Sequence, residues 1–142
     1  MAASPDAVWA LFADFPNLAS HWGGVRSTTG LGDPASGLGA RRRVELRPFG
    51  SMEETVTVWE EGRRIDTRNE PSSLVPFKHA ESSLVLQPQD GGTSATFDYR
   101  YVPRGGPLGR VTGLLIDKML TATFTDMLAV ADEAARRGSS GR

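Results

Sequence analysis

Few side chains in this sequence have both the type and the setting for chemistry. Glu54 stands in an alternating stretch, Met52 to Trp59, where Met52, Glu54, Val56 and Val58 share one face. Among apolar neighbours, desolvation favours the protonated carboxyl, so it can give and take a proton near neutral pH. Glu54 is therefore a candidate catalytic acid–base; the plain alternative is a solvated carboxylate at a strand end. Tyr99 and Tyr101 share a face with Ala95 and Phe97 and suit hydrogen bonds to a ligand carbonyl, Tyr99 as a second catalytic candidate. The alternative is core packing with each hydroxyl on a backbone group. Asn69 faces inward with Ile65 and Thr67, as a pocket polar group or a strand-end cap.

The remaining candidates would bind ligand. Thr123 interrupts an apolar helical arc and either faces a pocket or bonds back to its own helix. Met52, Met119 and Met127 offer adaptable surface to apolar ligands, or simply fill a core. Phe97 belongs to the inward aromatic row. His21 and Trp22 precede Gly23-Gly24 and are placed to form a pocket mouth; a lone histidine there is more often structural. His79 has outward parity. Arg41-Arg42-Arg43 is interleaved with Glu45 and is expected on the outer face of a sheet, with Glu45 as its carboxylate partner.

Composition narrows the classes. The chain has 142 residues, 39% hydrophobic and 23% charged, enough for a single core. A net charge of −1 gives no reason to expect nucleic acid as a partner. With 0 cysteines and 2 well-separated histidines, neither thiolate chemistry nor a metal site is expected, and no cofactor motif appears. A nucleophile elbow, a phosphate loop and a dinucleotide fingerprint are all missing. No apolar run reaches the roughly 18 residues of a membrane span, and no signal peptide is visible, so a cytoplasmic protein is expected.

Positioning these groups requires a sheet and a long helix. Ser4-Pro5-Asp6 opens a first helix whose stripe is Val8, Leu11, Phe12 and Phe15; Asn17 to Trp22 can form a second short one. Thr28 to Ala40 has the glycine and proline content of a loop. Alternation from Arg41 to Phe49, Met52 to Trp59, Arg64 to Asn69, His79 to Leu86 and Thr93 to Val102 predicts five strands in an antiparallel meander. Leu108 to Arg137 predicts a helix of roughly 45 Å, with Leu115, Met119 and Phe124 on the apolar arc. Residues 138–142 read as a disordered tail.

Five segments, in order, carry a family resemblance. Ser4 to Phe15 resembles the first-helix signature of the START-like, or SRPBCC, superfamily, and Asn17-Leu18 with Gly23-Gly24-Val25 resembles its next segment. Gly39 to Arg43 resembles the start of its second strand, Glu60 to Ile65 its Asp-Pro-Xaa-Arg-Arg-Leu turn. Pro103 to Gly109 resembles the approach to its last helix in the polyketide cyclase/dehydrase branch. The resemblance implies an α+β helix-grip fold over residues 1–137, a seven-stranded sheet around the long C-terminal helix, enclosing an apolar pocket. It departs from the family in two places: only Met1 to Ala3 precede the first helix, where the family has a strand, and His21-Trp22 shifts a family aromatic pair. Either the chain is shortened at its start or an open sheet edge awaits a partner, with a homodimer as one outcome.

The expected function is binding of a small hydrophobic or aromatic molecule. As an enzyme it would be a polyketide cyclase/aromatase or dehydratase. The alternative is a non-catalytic carrier or sensor of lipid-like ligands, and a co-chaperone-like interaction module is a third class.

Overall fold

The computed structural model describes residues 3–16, 25–46, 50–72, 75, 77–103, 118, 125, 128–133 and 135–137. Helix α1, Pro5–Ala13, begins as its sequence dictates. Ser4 is extended at φ −66° and ψ 155°, its Oγ accepts from the Ala7 N–H at 3.3 Å, and Pro5 follows where no N–H is needed. Val8, Trp9 and Phe12 are its buried face.

Six strands follow: β1 Val25–Gly30, β2 Arg41–Leu46, β3 Ser51–Glu60, β4 Arg64–Pro71, β5 Phe77–Gln89 and β6 Gly92–Pro103. They pair antiparallel in sequence order, a simple meander. At the β5–β6 turn Gly91 takes φ 80°, a conformation that favours a residue without Cβ. Strand β1 takes Thr28 to Gly30 out of the loop expected over Thr28 to Ala40, and the loop holds from residue 31 on. Its ladder to β2 runs through Thr28–Val44 and Gly30–Arg42, so backbone pairing extends the sheet over a stretch with no alternation of its own.

A second correction concerns β3. The ladder to β4 shifts between Val56 and Val58, so Val58 pairs with Asp66 and Trp59 with buried Ile65. The bulge inserts one residue and reverses parity beyond it. Trp59, not Val58, therefore packs with the interior.

The core has three parts. The largest joins α1 and Phe15 to Ala40, Val56, Ile65, Leu84 and Leu86, and to Ala131 and Ala135 of the C-terminal helix. Residues 128–133 and 135–137 are helical, as are 118 and 125. A second cluster is Val75, Phe77 and Ala80 against Tyr99 and Tyr101; a third is Val25 and Val44 against Met52. Ala3 is tied to β6 and to the C-terminal helix. Thr93 Oγ1 donates to the Ala3 carbonyl at 2.7 Å, and the Ala3 N–H donates to Asp132 Oδ1 at 3.2 Å. Leu115, Met119 and Phe124 lie outside the described residues, as do 17–22.

Candidate functional site

Cross-strand register sets the site. Residues directly opposite in an antiparallel pair share a face. One row across the buried face is therefore Arg42, Glu54, Asn69, Ala80 and Tyr101. The next is Val56, Thr67, Ser82 and Tyr99, and beyond it come Ile65, Leu84 and Phe97. On the other side, Val44 stands opposite Met52. Polar groups thus cross the sheet between apolar clusters. Glu54, Asn69, Phe97, Tyr99 and Tyr101 share the inward face that their parity predicted.

Glu54 is not a solvated rim carboxylate. It is 7% exposed and Arg42 is 6% exposed. Arg42 donates through Nε to Glu54 Oε2, and its Nη2 lies on the same oxygen at 2.5 Å. Nη1 donates to the Phe15 carbonyl at 2.8 Å, and the guanidinium lies 4.1 Å from the centre of the Phe15 ring. All three guanidinium nitrogens are engaged. The expectation that the arginine run decorates the outer face fails at Arg42, because a strand alternates and Arg42 shares parity with Val44. Arg41 and Arg43 do face out. Their partner is Glu53 at 2.9 Å each, not Glu45, and they hold its carboxyl below the usual range, Arg43 first.

Beside the ion pair is a neutral network. Thr67 Oγ1 donates to Asn69 Oδ1 at 2.8 Å and lies 2.5 Å from Ser82 Oγ. Thr67 has one proton, so Ser82 must donate to Thr67 and Thr67 to Asn69. The Asn69 amide is thereby oriented. Its side chain is fully buried, and Nδ2 has no hydrogen-bond partner among the described residues. Thr28 Oγ1 is likewise unpartnered. Burial pushes the Tyr99 hydroxyl well above its ordinary pKa. The Asn69 side chain offsets part of that rise, and the Glu54 charge adds to it.

Aromatic rings wall one end. Tyr99 is stacked on Phe97 at 6.3 Å and lies 6.5 Å from Tyr101. Phe77 meets Tyr99 edge-on at 6.2 Å and Tyr101 at 5.7 Å. Such offset and edge contacts suit aromatic packing. A buried face with an aromatic end wall, apolar flanks and an oriented polar row can hold a small, mostly apolar molecule.

The sequence profile of the family described as polyketide cyclase/dehydrase and lipid transport matches residues 1–134. The chain belongs to that family. Solved structures share the fold at low identity. TTHA0849 from Thermus thermophilus is 20% identical, with 98% of this chain and 94% of that one covered and a TM-score of 0.78. Ara h 8.0201 is 12% identical over 93% and 92%, with a TM-score of 0.70. DynU16, from the dynemicin biosynthetic locus, is 21% identical; all of this chain covers 45% of it, with a TM-score of 0.64. No curated protein matches the sequence at a significant level. The fold is the helix-grip fold of this family, with six strands in the described part where the resemblance implied seven.

Within this polyketide cyclase/dehydrase framework, Met52 is half-buried beside Val44. Trp22, Met119, Thr123, Met127 and His21 lie outside the described residues. His79 is exposed, as its parity indicated. The sequence reading overlooked Arg42, Thr67 and Ser82; alternation with Val44, Ile65 and Leu84 was the signal for each. It also overlooked Glu61, which accepts from both indoles, Trp9 Nε1 at 2.9 Å and Trp59 Nε1 at 2.8 Å. The two rings meet edge-on at 5.1 Å, so this carboxylate pins α1 to the β3–β4 turn. Among the described residues there is no cluster able to hold a metal ion and no helix long and apolar enough to cross a membrane.

Proposed function

We propose that this family member binds a small hydrophobic or aromatic molecule between the buried face of its sheet and its C-terminal helix, over a domain spanning residues 1–137. The observation that carries the reading is the aromatic row Phe97, Tyr99, Tyr101 standing at the end of an oriented polar network. Apolar contact would supply affinity, and the polar row would fix orientation. Trp22, Met52, Met119, Thr123 and Met127 complete the proposed ligand-contacting set. Saturable binding of the neutral fluorophore N-phenyl-1-naphthylamine, with displacement by aromatic ketones, tests it. No saturable binding would sink it.

A second reading, cyclisation or dehydration of a polyketone, is favoured by one observation: Glu54 and Tyr99 stand in neighbouring rows of the same buried face. A chain laid along the row would place a carbonyl by the phenol, with Glu54 as the proton-handling group. Holding the chain folded would supply much of the rate. On that reading Glu54→Gln binds ligand and loses turnover by roughly 10²-fold or more. Intact turnover would move the proton chemistry to Tyr99, Tyr101 or His21. Binding without turnover on any polyketone would make the protein a carrier.

A further inference from the structure

We propose that Asn69 is the specificity-determining donor of this site, selecting a ligand with a neutral acceptor oxygen, a carbonyl on an apolar ring system, over a carboxylate. The inference rests on the ligand-binding reading above and goes beyond it. Its starting point is a buried amide that is half satisfied. Oδ1 is held by Thr67, whose own lone pair is taken by Ser82. The amide is thus fixed with its N–H groups away from Thr67, and Nδ2 has no partner among the described residues. An unsatisfied buried donor is costly, and a ligand oxygen placed against it would remove that cost on binding.

The charge of the oxygen follows from what surrounds the amide. Asn69 stands directly opposite Glu54 in the β3–β4 ladder. A ligand carboxylate here would lie beside that carboxylate. The only cation in the row, Arg42, has its three nitrogens committed to Glu54 and to the Phe15 carbonyl. Neutral Thr67, Ser82 and the aromatic wall make up the rest. An anion would lose its hydration without gaining a counter-charge, whereas a ketone needs only one good donor. Thr67 is a positioning residue here, acting through Asn69.

Three naphthalenes of similar size separate the possibilities: 2-acetylnaphthalene, 2-ethylnaphthalene and 2-naphthoate. Each competes with N-phenyl-1-naphthylamine for the full chain. Burial of apolar area alone would favour the ethyl compound. The expected result is the reverse, with the acetyl compound about tenfold tighter than the ethyl, as one well-made buried hydrogen bond allows. The naphthoate should be weaker than the ketone by about tenfold or more. Asn69→Leu should reduce the ketone preference, read as the ratio of the ketone and ethyl affinities, to about twofold or less. Thr67→Val, which leaves Asn69 in place, should also lower that ratio. Equal binding of ketone and ethyl compound by the native chain overturns the proposal while the pocket stands, and that comparison needs no variant to fold. Naphthoate binding as tightly as the ketone also overturns it. Failure of the fluorophore and of all three compounds to bind saturably overturns the ligand-binding reading as well.

Discussion

Glu54 takes both Nε and Nη2 of Arg42 on a single carboxylate oxygen across the β2–β3 pair, with both side chains out of water. Removing either partner strands the other's charge in the interior. Glu54→Leu and Arg42→Met should each lower the unfolding free energy by about 3–5 kcal/mol, and the two together by far less than the sum. Urea unfolding of the four proteins checks this. Additive losses would mean that the pair is not coupled.

Tyr99 should protect the native state unevenly at high pH. Its hydroxyl is held above its ordinary value, mainly by burial, so the native state keeps the proton more tightly than the unfolded chain does. That contribution is complete below the unfolded pKa of about 10 and is lost as pH rises toward the native one. Tyr99→Phe should therefore lose stability less steeply above pH 10 than the native protein. Thermal unfolding across that range, with ultraviolet phenolate absorbance, is the measurement; parallel curves would contradict the assignment.

At the acid end the relevant group is Glu61. Hydrogen bonds from Trp59, then Trp9, hold its carboxyl below the ordinary value near 4.5. A lowered carboxyl contributes stability above the unfolded pKa that is lost as pH falls through the native one. Near-ultraviolet dichroism from Trp9 and Trp59 should weaken in that window before the fold is lost. Glu61→Gln keeps one acceptor for two indoles, so it should lose part of this signal at neutral pH and flatten its acid dependence.

Ser4→Ala removes the hydroxyl that caps α1 at Ala7. A loss of about 1 kcal/mol is expected by urea unfolding, the usual worth of such a cap. Ser4→Asp should keep most of that stability, since a carboxylate also caps and suits the positive end of the helix.

Sequence alone was enough to order the fold. Alternation in Arg64 to Asn69 and Thr93 to Val102 specifies inward and outward faces, because side chains repeat every two residues along a strand. Hence Asn69, Phe97, Tyr99 and Tyr101 could be placed together without coordinates. The Ser4-Pro5 start of α1 is equally local, since the cap acts within one turn. Five segments in order were also enough for the family.

Tertiary structure decided what those inward residues do. A bulge after Val56 is a property of the β3–β4 ladder, and it exchanges Val58 for Trp59 on the buried side. Strand β1 exists because β2 offers it a partner, since Val25 to Gly30 carries no alternation of apolar and polar residues of its own. Parity could place Arg42 inside, but only the β2–β3 register sets it opposite Glu54 and turns a candidate acid into half of an ion pair. The unpartnered Nδ2 of Asn69 is of the same kind. Periodicity brings a side chain to a face, while its hydrogen-bond partners come from strands and loops distant in sequence, so which donor is left over is fixed only when all of them have packed.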